Sequence, residues 1–90
     1  MVELPARVRE DALKRMRRIE GQARGVQRMI EEGRDCHEIL HQLSAIRSAV
    51  YQTSLLLARG YAVECLHDPR GKRSPEEMIN ELVDMLAKMS

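Results

Sequence analysis

Three features of this 90-residue chain predict an all-helical fold. Its apolar residues are mostly Leu, Met, Ile, Val and Ala, with no Trp or Phe and only Tyr51 and Tyr61 as aromatics, a mix that suits helix interfaces better than a sandwich or barrel. Apolar positions recur at steps of three and four residues along three long segments. Residue types that start and stop helices punctuate those segments. A chain this short makes one domain, residues 1–90. It buries only a thin core alone, so help from a partner chain, a metal or a crosslink is expected.

The first helix is predicted from about Ala6 to Glu32, with Val8, Ala12, Leu13, Met16, Ile19, Ala23, Val26 and Met29/Ile30 as its apolar face. Gly33 is the expected stop, where a left-handed residue closes a helix. Gly21 and Gly25 inside the helix each cost up to about 1 kcal/mol relative to Ala, a cost that makes sense if a backbone or a phosphate comes close there. The second helix starts at Asp35 as N-cap, with Glu38 closing a capping-box-like pair, and runs through Ile39, Leu40, Leu43, Ile46, Val50 and Leu55–Leu57 to about Leu66. Gly60 is expected to loosen its last turn and a half. A polar loop follows, from His67 to Arg73. The third helix takes Ser74 as N-cap, Pro75 at its first position and Glu77 at its third, and carries Met78, Ile79, Leu82, Val83, Met85, Leu86 and Met89.

No stretch approaches the roughly 20 apolar residues that span a bilayer, and Met1–Arg9 lacks the apolar run of a signal peptide. No membrane partner is expected, and a cytoplasmic location is. In that compartment Cys36 and Cys65 are not expected to form a standing disulfide. Metal binding or redox chemistry is the sharper reading, and two separate buried thiols the blander one.

Geometry favours the sharper reading. At about 100° per residue the 29 steps between the cysteines make about eight full turns, so both thiols project from nearly one face. At about 1.5 Å per residue they stand roughly 43 Å apart. A break at Gly60 would not reunite them, because five further residues span at most about 18 Å. Two antiparallel copies of the helix, with a two-fold near Val50/Tyr51, bring Cys36 of one chain to Cys65 of the other. The face between reads Cys36, Leu40, Leu43, Arg47, Val50, Ser54, Ala58, Tyr61, Cys65: a mixed seam whose small residues admit a neighbouring helix. A two-fold repeats each contact, so the dimer holds two thiol pairs.

The net charge of +1 hides an asymmetry. Between Leu13 and Arg28 lie Lys14, Arg15, Arg17, Arg18, Arg24 and Arg28 against the single acid Glu20. Clustered Arg at helical spacing suits duplex DNA through its phosphates and shape, although no helix-turn-helix, zinc finger or stacking aromatic is present. Arg47 on the second helix joins the DNA-binding candidates. Catalysis is not expected, since no nucleophile–base pair, phosphate loop or Cys-x-x-Cys appears.

The run Arg17–Ile30 (RRIEGQARGVQRMI), then Cys36, then Gln42–Ala49 (QLSAIRSA), then Cys65, closely resembles the copper-sensitive operon repressor family over nearly the whole chain. The resemblance implies an all-helical, three-helix protomer. Two protomers form an antiparallel dimer with a four-helix-bundle core, and dimers pair into a disc-shaped tetramer. It implies a repressor that needs no cofactor to hold operator DNA and releases it when the intersubunit site fills. Copper sensors of the family surround Cu(I) with Cys, His and Cys. Here Tyr61 stands at the His position, Asp35 replaces an aromatic residue before the first cysteine, and Glu81 falls where a supporting carboxylate is implied. Nickel and cobalt sensors carry an N-terminal His and a His at position 65, and formaldehyde sensors lack the second cysteine. The Cys/non-His/Cys pattern most resembles members that join their thiols through a persulfide or polysulfide. Reactive sulfur is therefore the preferred effector and Cu(I), or another thiophilic metal, the alternative. His37, His41 and His67 are read as surface or loop residues before ligands. A helical adaptor or a copper buffer without DNA binding is the rival class.

Overall fold

The computed structural model describes residues 4–67 and 74–90, with the side chains of 65–67 outside that description. The chain forms α1 (Ala6–Glu31), α2 (Cys36–His67) and α3 (Pro75–Met89). The all-helical, three-helix protomer expected from the periodicity is what the chain adopts. Of the polar loop proposed for His67–Arg73, His67 instead ends α2, and residues 68–73 fall outside the described residues.

The helix ends follow from local chemistry. Gly33 adopts φ +69, and the Arg34 and Gly33 amides donate to the carbonyls of Met29 (2.9 Å) and Ile30 (3.1 Å). This is the Schellman closure that a glycine permits. Ser74 Oγ accepts from the Glu77 amide at 3.2 Å, with Pro75 at the first helical position. At the start of α2 the expected capping box does not form. The Glu38 carboxylate instead accepts from Arg34 Nε at 3.1 Å, an i,i+4 ion pair that draws it away from the helix end.

Nor does Gly60 interrupt α2, which is helical throughout its 32 residues. Its role is packing. A Cβ at position 60 would meet Val8 Cγ1 at 3.0 Å and Leu4 Cδ2 at 3.1 Å, so the bare glycine lets the start of α1 lie against α2. Gly21 and Gly25 have nothing within 4 Å and serve no close approach inside the protomer.

α1 and α3 each pack on α2 and, among the described residues, not on each other. The result is flat and elongated, 54 × 26 × 14 Å. The radius of gyration is 16.7 Å, against about 12 Å for a compact chain of this length. Ala12, Ile19 and Val26 of α1 are the buried apolar residues. Leu13, Met16 and Ile30, assigned above to the same face, are exposed, so the apolar positions of α1 divide between the α2 contact and open surface. Thr53 on α2 is buried, with its hydroxyl donating to the Ala49 carbonyl at 2.9 Å. Among the described residues no helix is long and apolar enough to cross a membrane.

Gly60→Leu should lower the free energy of unfolding by about 1–3 kcal/mol, because its side chain would have to displace Val8 and Leu4 from their contact with α2. Gly21→Ala, facing open space, should raise it by up to about 1 kcal/mol. Urea denaturation of the two variants checks both signs.

Candidate effector site and nucleic-acid interface

Cys36 is the first residue of α2 and its thiol is exposed. Cys65 lies on the same helix, two residues before its end; its side chain is outside the described residues. Because α2 is unbroken, the backbones of the two cysteines are held about 43 Å apart by the helix rise alone. The protomer does not bring its thiols together.

The face that joins them is open at one end and grooved at the other. Leu40 and Leu43 are 58% and 44% exposed. Over the C-terminal half, α3 lies beside the stripe, and Ser54, Leu57, Ala58 and Tyr61 of α2 with Leu82, Met85, Leu86 and Met89 of α3 line an apolar groove of about 220 Å³. Ser54 Oγ donates to the Val50 carbonyl at 3.0 Å, so its polarity is spent within its own helix. Tyr61 stands in this groove, at the position aligned above with the family's histidine. Glu81 is exposed on α3, beside the groove-lining Leu82. The part of α3 in shaping this face was not read from the sequence. Its signal was available: the apolar residues of α3 cover an arc of about 160° at 100° per residue, wider than one contact stripe needs.

His37 and His41 are exposed on α2, where they line a different cleft. The side chain of His67 lies outside the described residues.

The basic face of α1 is open. Lys14, Arg15, Arg17, Arg18, Arg24 and Arg28 are all exposed. Arg15 pairs with Asp11 at 3.2 Å and Arg24 with Glu20 at 3.1 Å, both in water, where such pairs contribute at most about 1 kcal/mol and exchange readily for a phosphate. Lys14, Arg17, Arg18 and Arg28 have no ion-pair partner among the described residues. Lys14, Arg18, Gly21, Gly25 and Arg28 follow one another at steps of four and three residues, one row along the helix. Opposite it, Ala12, Ile19 and Val26 fix α1 to α2. Arg47 is exposed on α2, within the stripe between the cysteines and not on the α1 face.

Residues 8–88 match the metal-sensitive transcriptional repressor family. The chain belongs to that family. The repressor is 40% identical over 76 residues to the copper-sensing transcriptional repressor CsoR of Bacillus subtilis, covering 84% of this chain and 75% of that one. It is 41% identical over 58 residues to the copper-sensing transcriptional repressor RicR of Mycobacterium tuberculosis, covering 64% of this chain and 60% of RicR. The crystal structure of the copper-sensing repressor CsoR with Cu(I) from Geobacillus thermodenitrificans superposes with a TM-score of 0.77 at 38% identity, over 98% of this chain and 92% of that one. The nickel-responsive transcriptional regulator InrS does so with a TM-score of 0.69 at 31% identity, over 90% and 91%. These relatives are transcriptional regulators, which removes catalysis from the candidate functions.

If the open face of α1 holds phosphates, Arg18→Glu should weaken duplex DNA binding and lower the slope of log K against log salt by about one for each protomer in contact. Lys88→Glu, on α3, should change neither. Equal losses in the two variants in a salt-titrated gel shift would remove α1 from the interface.

Proposed function

We propose that this chain is a repressor that holds operator DNA through α1 and releases it when a site made by Cys36 and Cys65 of the partner subunit is filled. The observation that carries this reading is the unbroken α2, which forbids one chain from closing the site. An antiparallel two-fold between Val50 and Tyr51 pairs Cys36 with Cys65, Leu40 with Tyr61, Leu43 with Ala58 and Arg47 with Ser54. The exposed Leu40 and Leu43 then enter the apolar groove of the second chain, and Ser54 presents no unsatisfied hydroxyl to it. Arg47 lays its stem along this seam with its charge in water, where it could add to the positive surface that DNA meets. Leu13 and Met16, still exposed on α1, suit the pairing of two such dimers into a tetramer. DNA binding needs no cofactor in this scheme, and the reducing cytoplasm keeps the thiols ready.

The effector we assign is reactive sulfur, because Tyr61 supplies a hard oxygen donor where a soft or borderline nitrogen would complete a Cu(I) site. The chemistry balances without another oxidant. The Cys36 thiolate attacks an inner sulfur of a polysulfide and expels a shorter sulfide chain. The thiolate of Cys65 of the partner subunit then attacks the sulfur chain on Cys36 and expels a second sulfide. Two thiolates lose two electrons, and the polysulfide is reduced by the same two. Cu(I) is the second reading, favoured by the copper-sensing relatives and by the affinity of paired thiolates for a soft ion. There Tyr61 would leave the ion two-coordinate, with Glu81 at the edge of the site.

Cys36→Ala and Cys65→Ala should each keep operator affinity and abolish release. Loss of operator affinity in both would give the cysteines a structural role instead. Intact-mass measurement of the reduced protein, exposed to polysulfide or to Cu(I), decides the effector. A sulfur-bridged two-chain species that no longer shifts the operator supports reactive sulfur, and release by stoichiometric Cu(I) alone overturns it. Tyr61→His should raise copper responsiveness while leaving the helical content unchanged.

A further inference from the structure

The second helix opens with a pattern that the thiol site does not use. His37-Glu38-Ile39-Leu40-His41 places two imidazoles four residues apart, and on a helix that spacing stacks them on one face. Both are exposed, and both line one cleft of about 530 Å³ at the corner between α1 and α2, with Met29, Arg34, Glu38 and Gln42. We propose that His37 and His41 form a second metal site, a two-imidazole chelate for a borderline divalent cation such as Zn²⁺.

The surroundings define what kind of site this is. The same five-residue pattern serves hydrolysis elsewhere when its Glu is free to act as a base. Here Glu38 accepts from Arg34 Nε at 3.1 Å. That half-exposed ion pair offsets the charge of Arg34, the one Lys or Arg side chain lining the cleft. No third His, Cys, Asp or Glu completes a cluster among the described residues. Two imidazoles would supply only part of the coordination, and water would complete it. Cys36 is the neighbour of His37 but projects about 100° around the helix from it, so the chelate and the thiol pair are separate sites. Their preferences differ as well: imidazole suits Zn²⁺, Ni²⁺ and Cu²⁺, whereas paired thiolates suit Cu(I).

The test removes the thiols. In the Cys36→Ala/Cys65→Ala protein, equilibrium dialysis against Zn²⁺ alone should show one ion per chain. His41→Gln in that background should weaken binding by at least about tenfold, and His67→Gln should leave it unchanged. Zinc should shift the ring resonances of His37 and His41 by NMR and not those of His67, a readout that holds even if His41→Gln perturbs the fold. Absence of bound zinc, or binding undiminished in His41→Gln with no shift at His37, overturns the proposal. Either result leaves the thiol-site reading standing, because that site is absent from the protein tested.

Discussion

The rigidity of α2 is the constraint on which the rest depends. A helix of 32 residues holds its hydrogen-bond ladder from Cys36 to His67, and the rise of each residue fixes how far apart its ends stand. Nothing among the described residues folds one end of α2 back toward the other. Any event that needs both thiols is therefore an event between chains. In the proposed dimer the effector acts on how two α2 rods lie against each other, and α1 follows because Ala12, Ile19 and Val26 fix it to α2. The basic face sits on the opposite side of that helix, so a shift at the seam changes the spacing of two positive surfaces. By linkage, whatever free energy the effector takes from DNA binding, DNA takes from effector binding.

The same rod explains the shape. With α1 and α3 laid on it at separate places, the protomer is flat and offers little interior for its larger apolar side chains. Leu40 and Leu43 on α2, and Val83 and Met85 on α3, remain at the surface. Uncovered apolar surface on this scale in a small chain marks an interaction face. In the proposed dimer one contact would complete both the core and the site, with the groove between α2 and α3 taking the partner's leucines.

Much of this was legible in the sequence, because the signals were local. Gly33 and the Ser74-Pro75 pair mark helix ends through backbone chemistry that needs no tertiary context, and both act as read. The cysteine spacing was legible because helix geometry converts residue number directly into direction and distance. What failed depended on competition or packing. Asp35 and Glu38 have the spacing of a capping box, but Arg34 offers Glu38 a charged partner. Gly60 looked like a weak point and is a contact point, since Leu4 and Val8 lie far away in sequence. Leu13, Met16 and Ile30 share a periodicity with Ile19 and Val26, and hydrophobic spacing alone does not say which neighbour covers which residue.

The proposed site requires that its two thiols belong to different chains. Protein grown on light nitrogen and protein grown on heavy nitrogen, mixed and allowed to exchange subunits, can be treated with a short thiol–thiol crosslinker, and the linked Cys36–Cys65 peptides weighed. Peptides carrying one light and one heavy half should appear in the proportion set by random mixing. Linked peptides that are only all-light or all-heavy after complete exchange would contradict it.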